Sequence, residues 1–194
     1  LMGLALAAPV LAACGTTEAA RTAAPTGSAT SGGSIRLTDS RGVTVTLAQP
    51  ATKVVTLEWG PTEDVLALGV TPVAVADPTN FTAWNSAVTL PAGTPDVGLR
   101  TEPSLESIAK AEPDLILGVT GSIPEAAIAQ VEKIAPVFLL QAADASRQID
   151  LMRENFTTTA RLLGKESAAT PILAAFDAKV AEGTQKLAGV TSPY

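Results

Sequence analysis

A chain of 194 residues, 46% hydrophobic and 16% charged, can bury a substantial core and fills one to two domains. Its net charge of −6 speaks against nucleic acid, whose binders displace counterions with clustered Lys and Arg. The complete lack of histidine excludes a serine triad, a His-ligated zinc and a histidine general base.

Leu1 to Ala13 is an uncharged apolar run, too short to span a bilayer. It ends in Leu11-Ala12-Ala13-Cys14-Gly15, small residues at a cleavage position followed by the single cysteine of the chain. The pattern resembles a bacterial lipobox. That implies a signal-peptide remnant over 1–13 and Cys14 as the acylated first residue of the mature protein. A shortened ordinary signal peptide and a buried thiol are the alternatives. The run lacks both a starting methionine and a basic segment, so the N-terminus reads as incomplete. Residues 14–34, rich in Ala, Thr, Gly, Ser and Pro, cannot bury enough surface to offset ordering entropy and read as a disordered tether.

Ile35 to Thr38 and Val43 to Leu47 alternate apolar and polar around Asp39-Ser40-Arg41-Gly42, which predicts a hairpin. Val54 to Leu57 follows as a buried strand, Thr62 to Leu68 as a short helix closed by Gly69, and Val73 to Ala76 as a strand. Asp77 to Gly93 reads as a long polar loop carrying Asn80, Phe81, Trp84 and Asn85. Asp96 to Leu117 reads as a strand end, a turn carrying Arg100, a helix with Pro103 in its first turn, and the buried run Leu115-Ile116-Leu117. Ser122-x-x-Glu125 is a capping box opening a helix to about Ile134, and Pro136 to Leu140 is a further strand. Ser146 to Leu163, closed by Gly164, and Ser167 to about Leu187 are two long helices, the second tolerating Pro171 only near its first turn. Strands alternating with helices make an α/β protein with a mostly parallel sheet. A helix of about 20 residues spans roughly 30 Å, and one leading out of a finished α/β layer predicts a second domain beyond it.

Several strings occur in a telling order: Leu57-Glu58-Trp59, Leu66 to Val70, Val75-Ala76-Asp77, Trp84, Asp96 to Glu106, Pro113 to Ile116, and Ile134-Ala135-Pro136. Together they resemble the iron–siderophore substrate-binding lipoproteins of ABC importers, and among these the ferric-hydroxamate binding proteins. The most specific string is Leu99-Arg100-Thr101-Glu102-Pro103-x-Leu105-Glu106, in which Ser104 stands where the family usually has Asn. The resemblance spans about Ile35 to Leu187 and implies two α/β lobes joined by one rigid helix, with the ligand in the cleft between them. The Rossmann-like N-terminal lobe would occupy 35–166 and the backbone helix of helical-backbone metal receptors 167–190, with the C-terminal lobe absent from the chain.

The resemblance assigns Arg100 to the iron-bound hydroxamate oxygens, for which a permanently charged guanidinium offers a fixed fork of donors. The plain alternative is a surface arginine paired with Glu102 or Glu106. Trp84 matches a tryptophan that packs on the ligand, with Trp59 and Phe81 as further aromatic candidates; a loop aromatic filling the core edge is the alternative. The family tyrosine expected near Gly121-Ser122-Ile123 is absent. Glu125 matches the glutamate that docks on the permease, and the capping box accounts for it equally well.

Within loops 58–63, 77–93, 98–102 and 119–124, Arg100 is the sole basic residue. Burying a highly anionic tris-catecholate complex needs several cations, so a hydroxamate or mixed ligand is expected. The reading is an extracytoplasmic, lipid-anchored monomer that hands an iron(III)–siderophore complex to ABC permease subunits, with no resident cofactor or metal and no catalysis. Cobalamin or heme binding on the same fold is the alternative, followed by a structural surface lipoprotein. Glu58, Glu63 and Asp77 are the residual candidates for an enzyme, and no spacing or GxGxxG or Walker string supports one.

Overall fold

In the computed structural model, which describes residues 33–190, alternating strand residues sort onto the two faces of one parallel sheet. The sheet comprises β3 (Val54–Thr56), β4 (Ala74–Val75), β7 (Leu115–Val119) and β8 (Val137–Leu140), in the order β4-β3-β7-β8. All its pairings are parallel. Val54, Leu115, Leu117, Phe138 and Leu140 face one core, while Val55, Ile116, Val137 and Leu139 face the other. The first core is closed by Val65 of α1 (Trp59–Ala67), by Phe156, Ala160 and Leu162 of α5 (Gln148–Leu162), and by Ala169 of α6 (Glu166–Leu187). The second is closed by Ile108 of α3 (Leu105–Lys110) and Val131 of α4 (Glu125–Val131). A sheet buried on both faces needs near-continuous apolar strands, which these are.

The predicted hairpin is present as β1 (Ile35–Thr38) and β2 (Thr44–Leu47), antiparallel with Ile35 opposite Leu47. Its turn is latched to the sheet by Asp39, whose side chain is fully buried. The Asp39 carboxylate accepts from the backbone N–H groups of Arg41, Val43 and Leu139 and from the Arg41 guanidinium, which also reaches Glu132. Those donors offset the cost of taking the carboxylate out of water.

Five expectations need correction. The stretch from Asp77 is not all loop: α2 (Pro78–Trp84) forms because Asp77 accepts from the Asn80 N–H and Pro78 takes the first turn. Pro103 lies not in a helix but in β6 (Glu102–Pro103), paired with β5 (Gly98–Leu99); the cap of α3 is Ser104, accepting from Ser107 N–H. The capping box at Ser122 does not form, because its hydroxyl donates to the Val119 carbonyl and α4 starts at Glu125 without a side-chain cap. The first helix starts at Trp59 rather than Thr62, its N–H held by Glu58. Finally, α6 runs through Pro171, which lies in the second turn of a helix starting at Glu166. The signal run, Cys14 and most of the tether lie outside the described residues.

Candidate ligand site

Parallel strands bring their carboxyl ends to one edge, and the loops leaving β3 and β4 meet there. The chain after β4 crosses to Pro95-Asp96-Val97, which runs beside β4: Val75 N–H donates to Pro95 O and Val97 N–H to Val75 O. The β5–β6 hairpin therefore hangs from the sheet edge, with Arg100-Thr101 as its two-residue tip. Gly98 makes this possible. Its φ is +84°, and a Cβ there would sit 2.9 Å from the Glu102 carbonyl oxygen. Gly98→Ala is expected to cost about 1–3 kcal/mol and to loosen the hairpin; an unchanged urea midpoint would contradict this.

Between these loops lies an open cavity of about 290 Å³ lined by Leu57, Glu58, Trp59, Asp77, Leu99 and Arg100, among others. Arg100 donates from Nη1 to Glu58 Oε1 at 2.9 Å, and not to Glu102 or Glu106, the partners of the alternative reading. The same oxygen accepts the Trp59 N–H at 2.9 Å, so one carboxylate caps α1 and holds the arginine. Asp77, across the cavity, is engaged by Asn80 through its backbone N–H and side-chain amide. Among the described residues, the ionisable groups lining this cavity are those three.

The aromatic candidates separate. Trp59 lines the cavity, half-buried, as the first residue of α1. Phe81 is 1% exposed and meets Trp59 edge-on at 6.5 Å, so it supports Trp59 from the core and cannot touch a ligand. Trp84 is 79% exposed at the end of α2 and lies outside the cavity lining. The C-terminal end of α2 is tied to α1 by Asn85, whose amide donates to Glu63. None of the three sits in a loop, as had been expected; each is helical. Glu125, the first residue of α4, is exposed and makes no ion pair among the described residues.

Sequence reasoning missed two features. Glu58 was singled out only within the Leu57-Glu58-Trp59 string and as a residual acid, not as the cap of α1 and the partner of Arg100. Asp64 gave no sign of burial, yet it is half-buried where α1 packs on α5, accepts weakly from Thr159 at 3.4 Å, and borders a second cavity of about 210 Å³ with Asn155 and Gln141. Burial pushes its pKa up to about 7; the Thr159 hydroxyl opposes this and the Glu63 charge adds to it.

A family model described as periplasmic binding protein matches residues 54–193. The Iron(3+)-hydroxamate-binding protein FhuD of Escherichia coli is 37% identical over 125 residues, which cover 64% of this chain and 42% of that protein. The Fe(3+)-citrate-binding protein YfmC of Bacillus subtilis is 34% identical over 128 residues, covering 66% and 39%. The crystal structure of Fe3+–Desferal-bound FhuD from Vibrio cholerae aligns with a TM-score of 0.64 at 34% identity, covering 70% of this chain and 51% of that one. The chain thus spans about two fifths of the two curated relatives and half of the solved one.

Proposed function

We propose, from the premise that this chain belongs to the periplasmic binding protein family, that it forms one wall of a receptor for a ferric siderophore of the hydroxamate class. The observation that carries the reading is the cavity at the carboxyl ends of β3 and β4, lined by Arg100 at the tip of the β5–β6 hairpin and by Trp59 at the start of α1. A guanidinium offers several fixed donors to iron-bound oxygens, and an indole face covers a siderophore's carbon framework. The hydroxamate class is supported by two similar proteins whose names or titles specify such ligands and by a wall with one arginine already paired to an acid. The iron(III) complex is cargo, bound without turnover and delivered to the permease of an ABC importer. Exposed Glu125 serves that docking, and exposed Trp84 closes on the ligand from the rim. Cys14 carries the lipid anchor that holds a monomer at the outer face of the cytoplasmic membrane.

Tryptophan quenching of the full-length protein with ferric tris-hydroxamate, citrate and tris-catecholate complexes tests this. Saturable binding is expected for the hydroxamate, weakened roughly ten- to a hundredfold in Arg100→Ala, as for loss of a charge-assisted hydrogen bond. Comparable affinity for the tris-catecholate would overturn the ligand class, tighter binding of citrate would move the assignment to hydroxycarboxylates, and no binding at all would overturn the receptor reading.

A further inference from the structure

Arg100 does not meet the cavity as a free cation. Its partner Glu58 is the more fixed of the two, with a side chain 15% exposed against 51% for the arginine. The pair leaves Asp77 unbalanced, so the ionisable groups of the cavity sum to one negative charge. A capping role alone does not explain a glutamate at position 58. Short side chains cap best, and the longer one here also spans to a residue 42 positions away. Glu58 occupies one donor of a guanidinium that has five, leaving others for uncharged or weakly charged ligand oxygens.

We infer that Glu58 is a specificity-determining residue: by neutralising Arg100 and leaving Asp77 in excess, it selects iron(III) complexes of zero or positive charge against anionic ones. This rests on the siderophore reading and sharpens it. An added ligand charge about 8 Å from the wall, at an effective dielectric constant of about 30, changes affinity roughly tenfold. The selection is therefore by net charge, not by chelating group.

The test holds the chelate constant and varies its charge. Iron(III) desferrioxamine B carries a free ammonium tail and one positive charge; acetylating the amine makes the complex neutral, and succinylating it makes it anionic. The full-length protein is expected to bind the cationic complex roughly a hundredfold more tightly than the succinylated one, since the two differ by two units of charge at about tenfold each. Glu58→Gln keeps an oxygen to accept the Trp59 N–H while removing the charge. It should compress that ratio to about twofold or reverse it, chiefly by tightening the anionic complex. Asp77→Asn, which keeps the cap of α2, should compress the ratio in the same direction and guards against a folding defect peculiar to position 58. A merely structural role would weaken all three complexes alike. An unchanged ratio in both variants overturns the inference while leaving the receptor intact, whereas no binding of any complex removes both.

Discussion

Phe81→Ala is expected to lower the stability of the domain by about 3–5 kcal/mol, the range for truncating a fully buried aromatic. Phe81 is 1% exposed and anchors a seven-residue helix that has no other buried residue. So short a helix has little stability of its own, and its position depends on that one side chain. The effect reaches the site because the ring edge of Phe81 supports Trp59 at an interplanar angle of 77°. Its loss should also red-shift tryptophan emission and weaken ligand binding. Phe81→Leu, which keeps most of the apolar volume, should cost less than half as much. Urea denaturation of both variants decides the matter: a midpoint unmoved in Phe81→Ala would mean α2 is held by something other than its aromatic anchor.

Much of the frame was legible because buried parallel strands must be apolar on both faces. Val54-Val55, Leu115-Ile116-Leu117 and Val137 to Leu140 carry that mark unmistakably, and all are in the sheet. Helix α2 was hidden by its composition. Its opening Asp77-Pro78 is a cap followed by a first-turn proline, but the residues after it are polar enough to pass for loop. Arg100 could be placed at a strand end, but its partner could not. Glu102 and Glu106 are near in sequence, whereas Glu58 arrives only when β3 and the β5–β6 hairpin meet at the same edge of the fold. Burial of Asp64 was equally invisible, since the residue that covers it, Thr159, is 95 positions away.

The acidity of the cavity follows from how the fold starts its helices. Both α1 and α2 leave the carboxyl ends of neighbouring strands, and each begins with an acidic N-cap, Glu58 and Asp77. A carboxylate at a helix start is favoured by the unpaired N–H groups and the dipole. The helix ends thus offset part of each charge, which keeps the expected discrimination near tenfold per unit of ligand charge rather than far above it. Capping and ligand selection can be separated by amide substitution, because Gln and Asn retain the accepting oxygen and lose the charge.

Asp64 gives the domain a pH dependence of its own. Its carboxyl pKa is raised from an ordinary 3.8 to about 7, chiefly by burial between α1 and α5. Below about pH 4 folded and unfolded chains both hold the proton, and the group costs nothing. As pH rises towards 7 the unfolded chain releases its proton while the folded one retains it, so the unfolded state is favoured progressively. Above 7 both are ionised and the full penalty stands, about 4 kcal/mol at roughly 1.4 kcal/mol per tenfold change in proton affinity. Asp64→Asn is neutral throughout and can still accept from Thr159. It should therefore be more stable than the parent at pH 8 by up to about that amount, with little difference at pH 4. Guanidinium denaturation at several pH values between 4 and 8 reads the two curves directly. Curves that run parallel across that window would show that Asp64 is ionised in the folded protein and that α1 and α5 admit enough water to solvate it.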